Sequence, residues 1–112
     1  MKIVNALQAP EAPNPHGVSA CGLHDSEHVQ VSMVTLQPGE ALKRHVTPVD
    51  VFFYVIEGDG VVEIGDEQEP VSADMLIDSP ADIPHRLLNE SDGVFRFLVV
   101  KTPRPTRATK VL

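Results

Sequence analysis

The sequence predicts an all-β domain of the barrel or sandwich class, and three observations carry that expectation. Ten prolines and seven glycines are spread almost evenly over 112 residues. Each proline removes a backbone donor and clashes with the turn before it, so long helices are disfavoured. The apolar runs are short and rich in Val, Ile and Phe, and turn-forming pairs separate them at intervals typical of sandwiches and barrels. A chain of this length has room for one core, and so for one site.

Residues 1–27 read as an N-terminal arm, 28–100 as the barrel and 101–112 as a basic, proline-containing tail. Pro10, Pro13 and Pro15 make the opening an extended or edge segment. From His28 to Leu36 the chain alternates, Val29, Val31 and Met33 against Gln30 and Ser32, which predicts a half-buried strand. Pro38-Gly39 marks a turn and Leu42 to Thr47 is short and polar. Val51 to Ile56 is apolar on both faces, so something must cover each side. Glu57-Gly58-Asp59-Gly60 and Gly65-Asp66 tolerate positive φ and predict two turns flanking a strand over Val61 to Ile64. Met75 to Ile77, Arg86 to Leu88 and Val94 to Val100 complete the series.

Nine Lys and Arg face sixteen Asp and Glu, a net charge of −7, and every acid precedes Lys101. Nucleic acid is not an expected partner, because phosphate binding needs a clustered positive surface. No stretch approaches the ~20 apolar residues of a membrane span, and Met1 to Pro10 lacks a basic start followed by an apolar core, so the expectation is a soluble cytoplasmic protein. Cys21 is the only cysteine, which rules out an internal disulfide and fits a reducing compartment. The tail carries Lys101, Arg104, Arg107 and Lys110 around Pro103 and Pro105. It reads as a solvated arm; the other reading pairs it with the acidic body of a second subunit.

Gly39, His45, Thr47, Val51 and Gly58 reproduce the spacing of a two-part family motif whose first part runs Gly-x5-His-x-His-x3-Glu-x6-Gly. Asp74, Pro80, Asp82, His85 and Asn89 reproduce the second, Gly-x5-Pro-x-Gly-x2-His-x3-Asn, with Asp at both glycine positions. On these residues the chain resembles the cupins. The resemblance implies a double-stranded β-helix, the jelly-roll barrel of the cupins, often dimeric, with a divalent metal held by three His and one Glu. Of those four positions His45 and His85 keep a ligand side chain; Thr47 and Val51 stand at the others.

Side-chain alternation puts His45, Thr47 and, after a bend near Pro48, Val51, Phe53 and Val55 on one face, with His85 expected to approach from the opposite sheet. Two imidazoles hold a transition metal weakly, since such ions take three or more protein ligands. His16, in a turn-prone Pro15-His16-Gly17, is the candidate third ligand, and Cys21 lies in the same arm. Zn, Fe, Ni or Mn are the ions such a set suits. His24 and His28 read as surface residues, Asn89 as a structural one, Tyr54 as pointing outward, and the acidic run Glu57 to Glu69 as a solvated hairpin. Thr47, Val51 and Phe53 are the expected ligand-contacting residues of a pocket that binds a small molecule. The alternatives are a metal-dependent dioxygenase, isomerase or lyase using His45, His85 and His16, and a dimeric structural module. Phe52, Tyr54 and Ile56 would form the interface of a homodimer in each case.

Overall fold

A computed structural model covers residues 1–112 and contains ten strands and no helix. They are β1 (Ser19–Asp25), β2 (Gln30–Leu36), β3 (His45–Val46), β4 (Asp50–Glu57), β5 (Asp59–Ile64), β6 (Glu67–Ser72), β7 (Leu76–Ser79), β8 (His85–Leu88), β9 (Phe95–Thr102) and β10 (Lys110–Val111). Two antiparallel five-stranded sheets result, ordered β1-β2-β9-β4-β7 and β10-β3-β8-β5-β6. The core lies between them. Phe53, Phe95 and Phe97 are almost wholly buried there, with Val55 and Leu36 from one sheet and Leu87 from the other. Phe53 meets Phe97 edge to face at 6.0 Å, the geometry their ring quadrupoles favour.

Turn residues set the strand ends. Gly58 has φ +86°, and a Cβ there would overlap the Val94 carbonyl oxygen, so both conformation and space demand glycine. Asp74 and Asp82 have φ of 73° and 64°. These are the two positions at which the family motif has glycine. Aspartate keeps the left-handed conformation because its short polar side chain tolerates it better than most.

Four sequence expectations need correction. The interior face of β2 is Ser32, Val34 and Leu36, not Val29, Val31 and Met33. Val34 pairs with Phe97 and Leu36 with Phe95, so these residues share the inward face of β9, while Met33 is buried on the outer face opposite Cys21. Adjacent apolar residues Met33 and Val34 made the parity ambiguous. Residues 19–25 of the arm form an edge strand, β1, hydrogen-bonded to β2. The acidic hairpin contains a strand the pattern did not mark: β6 is a polar edge strand in which Val71 alone is buried, a composition edge strands use against unwanted pairing. The end of the basic tail is not a free arm. Lys110 and Val111 pair with Val46 and His45, and Arg104 meets Asp25 at 3.1 Å.

Candidate functional site

His85 does not approach His45 from the opposite sheet as expected: β3 and β8 are neighbours in one sheet, and His45 and His85 are direct cross-strand partners with ring centroids 4.4 Å apart. The arm adds a third. Asn14 organises a turn in which its Oδ1 accepts from the His16 amide at 3.1 Å and its Nδ2 donates to the Val18 carbonyl at 2.7 Å, while Gly17 takes φ +68°. That turn lays the His16 ring edge-on against His45, 4.7 Å between centroids.

The hydrogen bonds fix much of the proton placement. His16 Nδ1 accepts from the Lys43 amide at 2.9 Å, which puts its proton on Nε2. His45 Nδ1 faces the Lys43 carbonyl at 2.6 Å and therefore donates, leaving Nε2 as an acceptor. His85 is held between two hydroxyls, Ser79 at 2.6 Å from Nδ1 and Thr47 at 3.3 Å from Nε2. Burial, and then repulsion from the nearby basic groups His45, Lys101 and His16, lowers the His85 pKa to about 3. His16 is lowered to about 4, again first by burial and then by His45, Lys43 and Lys101. Burial also lowers His45, opposed by its bond to the Lys43 carbonyl. At neutral pH all three rings are uncharged.

These groups cap a pocket of about 180 Å³ whose wall includes Val18, Val34, Leu42, Val51, Phe53 and Val99. Thr47, Val51 and Phe53 line it as expected, but not from one strand face: Val51 and Phe53 lie on β4 in one sheet, His45 lies on β3 in the other, and Thr47 is in the connection between them. Five polar lining or supporting residues were not among the candidates: Asn14, Ser32, Ser79, Thr109 and Lys101. Lys101 carried a readable signal. Phe95, Phe97 and Val99 point inward on β9, and one further step of the same alternation turns Lys101 inward as well. Burial lowers its pKa too.

Other candidates fall outside. His24 and His28 are exposed, as surface residues should be. Cys21 is buried on the outer side of β1, its Sγ 3.7 Å from the Ala6 carbonyl, and does not line the pocket. Asn89 is structural: its amide donates to the carbonyls of Leu36 and Gly93 at 2.9 and 2.8 Å, and its oxygen accepts from Ser91. A larger open groove of about 790 Å³ beside β6 and β7 is lined by Asp66, Glu67, Glu69, Leu76 and Ile83, and it holds no histidine or lysine.

As arranged, the pocket does not fit the divalent ion that the cupin resemblance implies. The three imidazoles form a row, no carboxylate joins them, and no group of three or more His, Cys, Asp or Glu residues is placed to hold an ion. Lys101 adds a positive charge to the same wall. No helix of the chain is long and apolar enough to cross a membrane.

Comparison with known proteins agrees with the fold. A Thermus thermophilus protein of known structure is 33% identical, with a TM-score of 0.81 over 94% of this chain and 100% of its own. The polyketide cyclase RemF of Streptomyces resistomycificus superposes at a TM-score of 0.85 over 100% of this chain and 85% of its own, at 20% identity, a likeness of fold alone. The polyketide synthase CurC of Streptomyces cyaneus is 31% identical over 74 residues, which span 65% of this chain and 48% of that one. Residues 32–101 match the family model described as a cupin domain, and they contain both histidine-bearing motifs and every strand from β3 to β8. The chain therefore belongs to the cupin family.

Proposed function

We propose that this cupin binds a small organic molecule inside the barrel, with its apolar body against Val51, Phe53 and Val99 and its polar end among His16, His45, Thr47 and His85. The observation that carries this reading is the joining of an apolar wall to uncharged hydrogen-bonding groups in one buried pocket, the usual make-up of a small-molecule site. Its volume, about 180 Å³, limits the ligand. A dry cavity of ~150 Å³ holds one benzene, so the part of a ligand seated in the pocket is on the scale of a single ring or a short chain.

The test is a thermal-shift screen of monocyclic and short-chain compounds against the wild type and Ala20→Phe, which fills the pocket from β1. A ligand at ten times its Kd adds ~1.4 kcal/mol of stability. Compounds that stabilise the wild type and not the variant support the reading; a screen with none for the wild type refutes it.

A second reading, a divalent metal on His16, His45 and His85, has one observation in its favour, the placement of His16 against His45. It requires the rings to rearrange, because as placed they do not form a group that holds an ion. Elemental analysis of protein purified without added metal or chelator decides it: near one mole of a transition metal per chain supports the metal site, and near zero removes it. The expected homodimer through Phe52, Tyr54 and Ile56 rests on the apolar character of that strand, and light scattering measures it.

A further inference from the structure

Lys101 stands apart from every other charged residue of the chain in pointing into the pocket. It occupies the inward register of β9 directly across from Val51 of β4, and its neighbour on the other side is Gln30 of β2. None of the residues lining the pocket is Asp or Glu, and none of the chain's ion pairs includes Lys101. An ammonium group partly withdrawn from water without a counter-ion costs free energy, and proteins normally place a carboxylate beside it. With sixteen acidic residues available, this chain places none there. Val51 stands instead at the motif position where the cupin pattern has glutamate.

We propose that Lys101 is the anchor for a carboxylate, so that the pocket's ligand is a small organic acid whose charged end meets Lys101 and whose body lies along Val51, Phe53 and Val99. This deepens the reading of the pocket as a small-molecule site and rests on it. The surrounding groups suit the assignment. His16 and Thr47 line the same pocket, the Nε2–H of His16 makes no hydrogen bond within the chain, and the Thr47 hydroxyl is held only by a 3.3 Å contact with His85, so a carboxylate has partners beyond the ammonium. All three imidazoles are uncharged and do not add to the positive charge, so a single anion balances the site. Burial lowers the Lys101 pKa, and a bound carboxylate acts in the opposite direction.

The experiment measures binding of benzoate and butyrate, each beside its neutral amide, to the wild type and to Lys101→Met by calorimetry and ¹⁵N-resolved NMR titration. The expected result is an acid-over-amide preference of about tenfold in the wild type, as a charge-assisted bond gives, and loss of that preference in Lys101→Met. Equal binding of acid and amide by the wild type overturns the anion assignment and leaves the small-molecule reading standing. Binding of neither overturns both. A preference that survives in Lys101→Met assigns the anion to the imidazoles and removes Lys101 from the role. Should the variant not fold, the shift of the wild-type Lys101 side-chain resonances on adding benzoate gives the answer directly: movement supports the contact and constancy overturns it.

Discussion

Acidification should destabilise the protein through His85 by an amount that can be isolated. Burial holds this ring neutral in the fold, with a pKa of about 3 against 6.5 unfolded. The unfolded chain therefore binds the proton more tightly. Stability is complete above 6.5 and is lost as pH falls through the window from 6.5 toward about 3. Evaluating the two titrations between roughly pH 7 and pH 4 gives a loss of ~3 kcal/mol from this one group. Against the ~5–15 kcal/mol typical of a domain, that is a large share. The assay is urea unfolding at a series of pH values for the wild type and His85→Gln, whose amide can still bond Ser79 and Thr47 but does not titrate. Carboxylates titrate alike in both proteins, so they cancel in the difference. The wild type should lose ~3 kcal/mol more than the variant across that range; parallel curves would refute the burial argument. His16, lowered to about 4, acts with the same sign, and His16→Gln should flatten the curve further.

The remaining predictions concern the frame and the charge of the pocket. Gly58→Ala combines a positive φ with overlap on the Val94 carbonyl and should cost ~3 kcal/mol or more, measured as a fall in Tm. Asn89→Ala removes four bonds, one each to Leu36 and Gly93 and two to Ser91, and should cost ~4 kcal/mol in urea unfolding, at about 1 kcal/mol each. Asp82→Gly relieves a left-handed aspartate and should raise stability by up to ~1 kcal/mol, whereas Asp74→Gly also loses the hydrogen bond from Tyr54 and should gain less. Val51→Glu places a carboxylate across from Lys101; a double-mutant cycle with Lys101→Met should give a favourable coupling of ~1–3 kcal/mol, and a coupling near zero would mean that the two positions do not share one pocket.

How much was legible follows from which interactions are local. Turn chemistry and strand alternation are short-range properties, so the all-β class, the turns at Gly39, Gly58 and Gly65 and the inward set His45, Thr47, Val51 and Phe53 could be read from neighbouring residues. The motif spacing extended this to the meeting of His85 with His45, but not to the sheet that carries it, since the two are neighbours in one sheet and do not face each other across two. Polar edge strands give no such signal: β6 and β10 exist because β5 and β3 offer them unpaired backbone groups, not because their own side chains demand burial. The contact of His16 with His45 depends on a turn built by Asn14, several bonds away in sequence terms from anything periodic. Lys101 was hidden by its chemistry, since a lysine beside a basic, proline-containing tail reads as solvated even when strand parity points it inward.

Parity and charge together explain why the pocket has the chemistry it does. A β-barrel fixes where side chains project far more rigidly than it fixes what they are, so a position that faces the interior remains inward whatever residue fills it. The row His16, His45 and His85 is buried enough to be uncharged and can serve as donors or acceptors, but neutral groups alone cannot select the sign of a ligand's charge. That choice falls to the fourth group. With valine at position 51 and lysine opposite it, a cation entering the pocket meets repulsion with no carboxylate to offset it, while an anion relieves an ammonium that burial has left without a partner. Discrimination thus arises as much from the unpaired charge set against the wrong ligand as from the contacts offered to the right one.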